Sequence, residues 1–114
     1  MIPLAKHTLL EMRGCDPTLL RDREALAPLL LAAVRDAGAT IVTDVFHNFS
    51  PHGVSGVIVI AESHVAIHTW PEHQFAAVDI FSCSETLDHE AIVRAMGTAL
   101  GATRIDVRTL ERGL

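Results

Sequence analysis

Ser55, Glu62, Ser63, His64, His68, Glu72, His73 and Cys83 all fall between positions 55 and 83, and five of the chain's seven histidines lie between His47 and His73. Histidine and cysteine are good zinc ligands. His64 and His68 have the four-residue separation of a helical zinc motif, but that motif needs a glutamate directly after the first histidine. Val65 stands there, in a segment that reads as extended. Along a strand the two imidazoles would be about 13 Å apart, too far for one ion, so no metal site is expected. A serine hydrolase would want Gly-x-Ser-x-Gly, and Gly53-Val54-Ser55-Gly56 lacks the second glycine at the right place. No glycine-rich phosphate loop is present either. The plain alternative is that these serines and histidines fill a surface or satisfy a core. Amine chemistry on pyridoxal phosphate needs a Schiff-base lysine, and Lys6 is the only lysine in the chain.

These residues need elements to hold them. Lys6–Arg13 reads as a strand, ended by Gly14 and the turn Cys15-Asp16-Pro17. A helix to about Ala37 carries Leu26, Leu29, Leu30, Ala33 and Val34 at helical spacing. Pro28 should bend it or delay its regular part to Ala27, and Gly38 should stop it. Strands follow over Thr40–Phe49, Val54–Ala61, Glu62–Trp70 and Phe75–Cys83, with a turn at Ser50–Gly53. A second helix fits Leu87–Leu100, and Arg104–Leu110 alternates like an exposed edge strand. The order β-α-β-β-β-β-α-β with short turns predicts an α+β, two-layer α/β sandwich: a mainly antiparallel sheet with two helices on one face. Val57–Ala61 is apolar at both parities, which predicts a covered second face and hence dimerisation through the sheet.

With 114 residues the chain has room for one domain, 1–114. Its net charge of -5 and nine basic residues without a basic run argue against a nucleic-acid partner. Val54–Ala61, the longest apolar stretch, is far short of the roughly 20 residues that cross a bilayer. The N-terminal residues lack the layout of a secretory signal, and two cysteines suit a reduced protein. A cytoplasmic, soluble location is the expectation, with no membrane partner.

The run from Gly53 to Glu72, with Ala61-Glu62-Ser63-His64 and Ile67-His68-Thr69-Trp70-Pro71-Glu72 within it, resembles the signature of the short prokaryotic S-adenosylmethionine decarboxylases. Ala76–Cys83 resembles that family's second block, and Gly14-Cys15-Asp16 and Phe46–Pro51 fit as well. Length and element order agree across nearly the whole chain. One departure is visible: Ser82 and Ser84 flank the cysteine where the family usually has threonine and glycine.

The resemblance implies a proenzyme that cuts itself between Glu62 and Ser63 into a β chain 1–62 and an α chain 63–114. The Ser63 hydroxyl attacks the preceding carbonyl, the ester is eliminated, and the dehydroalanine left behind hydrolyses to a pyruvoyl group. By similarity Ser55 and His68 assist: a hydroxyl can stabilise the oxyanion, and an imidazole can remove the α-proton. His68 is five residues past Ser63, so a bend or a register shift is required to bring them together. The pyruvoyl carbonyl takes the place of pyridoxal phosphate, forming a Schiff base with the substrate amine and accepting electrons as CO2 leaves. Cys83 reprotonates the resulting carbon. Without the resemblance Cys83 reads as a small core residue.

The implied substrate is S-adenosylmethionine and the implied product the aminopropyl donor for spermidine. Phe49 and Trp70 offer faces for the adenine or the sulfonium, or pack in the core, and Glu72 offers a carboxylate to ribose hydroxyls. Family members form this site between two protomers, which implies a homodimer of cleaved units. Relatives with the same signature act on arginine or ornithine, and an uncleaved, non-catalytic binding protein is the alternative of another class.

Overall fold

Alternating and β-branched segments form six strands in the computed structural model, which describes residues 2–114. They are β1 (Ala5–Arg13), β2 (Ile41–Asn48), β3 (Val54–Ile60), β4 (Ser63–Trp70), β5 (Phe75–Ser82) and β6 (Arg104–Arg112). Their order in one sheet is β2-β3-β4-β5-β1-β6, and every neighbouring pair is antiparallel. Consecutive hairpins join β2 through β5. Two helical crossovers complete the sheet, one from β1 to β2 and one from β5 to β6.

Side-chain alternation decides which face is buried. Leu10 and Met12 in β1, Ile58 and Ile60 in β3, Val65 and Ile67 in β4, and Val78 and Ile80 in β5 all point beneath the helices and are buried. Each such aliphatic side chain contributes about 1.5–3 kcal/mol on burial. Gly56 belongs to this face because the Phe46 ring lies where its Cβ would be.

The helical layer holds α1 (Pro17–Leu20), α2 (Arg23–Asp36) and α3 (His89–Leu100). Helix α2 lies over β2 and β3, α3 lies over β1, and the two long helices touch one another. This is the expected two-layer sandwich with its long helices on one face. The first helical stretch differs from expectation: it is interrupted at Arg21–Asp22 and not at Pro28. Asp16 caps α1 by accepting the Thr18 N–H at 2.9 Å, and Asp22 caps α2 by accepting the Glu24 N–H at 3.0 Å. An acceptor side chain that satisfies an orphan N–H defines a new helix start. Pro28 sits within α2 without ending it.

Helix α3 likewise starts two residues later than expected, because Asp88 caps it through the Ala91 N–H. Gly101 ends it in the left-handed conformation, φ 68°. Strand β6 is an edge strand, as predicted, and runs on to Arg112. The face away from the helices carries Val45, Val57 and Val59, which are 66%, 37% and 38% exposed. Among the described residues nothing covers it, and no helix is long and apolar enough to cross a membrane.

Candidate active site

The β3–β4 hairpin carries two groups of reactive residues, one at each end and on opposite faces. At its turn, Ala61 and Glu62 connect Ile60 to Ser63, which are paired across the strands. Glu62 has φ 61°, a left-handed conformation that costs a residue with a side chain about 1–2 kcal/mol. The turn is held in place by three contacts. The Ala61 N–H donates to the Thr40 carbonyl at 2.9 Å, and the Cys83 N–H donates to the Glu62 carbonyl at 3.2 Å. The Ser63 hydroxyl donates to Ser82 Oγ at 2.8 Å.

Chemically this end unites a hydroxyl nucleophile, the peptide carbonyl immediately before it, and an N–H aimed at that carbonyl oxygen. Ser63 shares the helix-covered face with Val65 and Ile67, and faces Ser82 across β4 and β5. Cys83 follows β5 directly and is exposed, and its backbone N–H lies against the Glu62 carbonyl. Cys83 is therefore not the small core residue that its type alone suggests; that description fits Cys15. Cys15 is buried, burial pushes its thiol pKa up, and its S–H points to the Met12 carbonyl at 3.7 Å.

The other end of the hairpin carries Ser55 and His68. They are cross-strand partners, and Ser55 Oγ and His68 Nδ1 share a hydrogen bond of 2.8 Å on the helix-free face. Thr69 fixes this end from beneath: its hydroxyl accepts the Val54 N–H at 2.8 Å and donates to the Leu20 carbonyl at 2.7 Å. Phe49 and Trp70 are not core residues, being 51% and 42% exposed. Glu72 follows β4 in a single 3-10 turn, Pro71–His73, and pairs with His52 at 3.2 Å.

Ser63 and His68 are not brought together within the chain. The bend or register shift that their meeting required is absent: pairing runs unbroken from Ser55–His68 to Ile60–Ser63. Five residues of strand separate them by about 17 Å, and the odd spacing puts their side chains on opposite faces. His64 lies on the helix-free face, stacked on Phe81 at 5.5 Å, away from His68. His73 sits in the 3-10 turn.

Several contributors leave little or no mark in residue types. The Cys83 N–H and the Glu62 backbone conformation leave none. Ser82 is visible in the sequence only as a departure from a family pattern, and its contact with Ser63 follows from the β4–β5 register. The carboxylate of Glu72 has a partner in His52 because the loop before β3 folds back over the 3-10 turn.

A model of the family described as S-adenosylmethionine decarboxylase matches residues 6–113. The S-adenosylmethionine decarboxylase proenzyme of Pseudomonas paraeruginosa is 47% identical over 111 residues, covering 97% of this chain and 69% of its own length. The proenzyme of Thermodesulfovibrio yellowstonii is 43% identical over 114 residues, covering 100% of this chain and 84% of its own. The crystal structure of the adenosylmethionine decarboxylase from Aquifex aeolicus superposes with a TM-score of 0.90 at 34% identity, covering 100% of this chain and 94% of that one. An antiparallel α+β sandwich with a serine at a strained hairpin turn thus belongs to a known class of protein. The chain is a member of the S-adenosylmethionine decarboxylase family.

Proposed function

We propose that this chain is a proenzyme that cleaves itself between Glu62 and Ser63 and then, as chains 1–62 and 63–114, decarboxylates S-adenosylmethionine for spermidine synthesis. The observation that carries this reading is the Glu62–Ser63 turn, where the Cys83 N–H meets the Glu62 carbonyl at 3.2 Å. Negative charge develops on that oxygen when Ser63 Oγ attacks the carbonyl carbon, and a fixed donor is worth most where charge develops. The Oγ–C bond forms, the C–N bond breaks, and the proton leaving Oγ ends on the Ser63 nitrogen. Removal of the residue 63 α-proton then expels the Glu62 carboxylate. Water converts the resulting dehydroalanine into the pyruvoyl group and ammonia. Cleavage also releases the left-handed strain at Glu62.

The α-proton needs a base, and within one chain His68 is out of reach. A second copy provides one. Two helix-free faces packed about a two-fold axis bring the Ser55–His68 end of each chain over the Ser63–Cys83 end of the other. The exposed Val45, Val57 and Val59 supply apolar surface for that contact. The residue 63 α-carbon lies in the plane of the sheet, so a group on the helix-free side can approach it even though the Ser63 side chain points to the helices. In this homodimer the partner subunit's His68, oriented by the partner's Ser55, acts as the processing base.

The pyruvoyl group supplies the carbonyl that takes up electrons as CO2 departs; no pyridoxal phosphate is needed. The chain's own residues do the rest. Phe49 and Trp70 present exposed rings to the adenine and the sulfonium, Glu72 accepts hydrogen bonds from the ribose hydroxyls, and Cys83 delivers a proton to the carbon that has lost CO2. Two aromatic faces beside a carboxylate suit a nucleoside better than arginine or ornithine. Both thiols are free, which supports a reducing, cytoplasmic setting.

Intact mass under denaturing conditions, paired with CO2 release, tests the reading. The expected result is two chains, the second beginning with a pyruvoyl, and CO2 released from S-adenosylmethionine but not from arginine or ornithine. Ser63→Ala should remain a single uncleaved species. A wild-type chain that never splits would overturn the proposal.

A further inference from the structure

Ser82 has a place in the turn that the cleavage and decarboxylation steps leave without a role. It is 2% exposed, at the end of β5, and its hydroxyl has every hydrogen-bonding position filled. Its oxygen accepts the Ser84 N–H at 2.9 Å and its proton goes to the Ser84 carbonyl at 3.3 Å. With its proton committed, the remaining contact has one polarity: Ser63 Oγ–H donates to Ser82 Oγ at 2.8 Å. The nucleophile's proton is therefore directed at Ser82, and among the described residues no hydrogen-bond donor reaches the Ser63 oxygen's lone pairs.

We infer that Ser82 is a positioning residue for self-cleavage, orienting the Ser63 hydroxyl so that its lone pairs, not its proton, face the Glu62 carbonyl. The inference rests on the self-cleavage reading. A serine hydroxyl rotates freely through three staggered wells, and only some present a lone pair to the preceding carbonyl carbon. The hydrogen bond to Ser82 selects among them. The same residue ties the two reacting groups together, because Cys83, whose N–H holds the Glu62 carbonyl, is its neighbour in the chain. The step it serves is the N-to-O acyl shift alone. The Ser63 Oγ proton is transferred to the departing nitrogen, so Ser82 gains and loses no atom overall.

This separates Ser82 from His68 experimentally. The acyl shift makes an ester, which hydroxylamine cuts, whereas the elimination that follows consumes it. Full-length Ser82→Ala should cleave about tenfold more slowly than wild type, the loss of roughly one hydrogen bond to a reacting group. Hydroxylamine should not speed it, since no ester builds up ahead of the slow step. Ser82→Thr, which keeps the hydroxyl, should restore the wild-type rate. Thermal melting of Ser63→Ala against Ser63→Ala/Ser82→Ala, neither able to cleave, separates a folding defect from loss of orientation: the two should melt within a few degrees. Wild-type cleavage with Ser82→Ala equally fast, or Ser82→Ala accumulating hydroxylamine-sensitive ester, would overturn the role of Ser82 alone. An unsplit wild-type chain would remove the self-cleavage reading itself.

Discussion

The two ends of the β3–β4 hairpin differ in nearly every physical respect although the same two strands build them. The turn end is strained and backbone-driven: Glu62 at φ 61°, the Cys83 N–H on its carbonyl, and Ser63 half-buried against Ser82. The far end is relaxed and side-chain-driven, with Ser55 and His68 paired across regular strands and Trp70 and Phe49 exposed beside them. A nucleophile benefits from rigidity and strain that bond cleavage can release. A base and a nucleoside-binding surface benefit from exposure. One hairpin can offer both only by keeping them a strand's length apart, and the proposed two-fold dimer would reunite them.

Breaking this division of labour should have its largest effect at His68. His68→Ala alone should slow cleavage about 10³-fold, the range of a lost general base, with ester accumulating. Co-expressed with differently tagged Ser63→Ala, the His68→Ala chain should be cut in mixed dimers, because its partner still carries His68. Denaturing mass spectrometry distinguishes the two tagged chains. Absence of rescue would overturn the role of the partner's His68 as the processing base.

Cys83 sharpens the comparison at the turn end, where backbone and side chain have separate duties. Cys83→Ala keeps the N–H on the Glu62 carbonyl, so cleavage should proceed within a few-fold of wild type. Turnover should fall about 10²-fold through loss of the thiol proton, as kcat for CO2 release will show. The buried Cys15 should resist iodoacetamide in the native protein while Cys83 reacts, a difference that peptide mapping reads directly.

The smallest effect concerns His89, beneath the sheet and outside both ends. Its Nδ1 meets Thr8 Oγ1 at 2.8 Å, and among the described residues its Nε2 has no partner. Burial first, and then the charge of Lys6, lower its pKa, with Asp88 opposing. The unfolded chain therefore binds a proton that the folded chain refuses, and stability should fall as pH drops below about 6.5. Melting of Ser63→Ala from pH 7.5 to 5 should show this decline, and His89→Gln should flatten it.

Much of the architecture was legible in the residues. Alternation marked all six strands to within a few positions, and the order of elements implied helices on one face of an antiparallel sheet. Pro28 misled because a proline's missing N–H weighs less than the two aspartates, Asp16 and Asp22, that each cap a new helix. The individual site residues were legible through their resemblance to a family, yet their grouping was not. Distance along a strand and parity already argued against a Ser63–His68 contact; only the unbroken register removed the alternative of a bend.

By itself, then, the sequence determined the chemical inventory: one lysine, a Glu62–Ser63 bond between two apolar strands, two thiols, Cys15 and Cys83, and a sheet apolar on both faces near Val57–Ala61. Residue types and period-two alternation are local properties, and local properties survive in a string of letters. The tertiary structure alone decided that Glu62 is left-handed, that Cys83 offers its backbone to the Glu62 carbonyl, and that Ser82 meets Ser63. Each of these depends on which strand lies beside which and in what register, and register is set by the packing of the whole sheet beneath its helices.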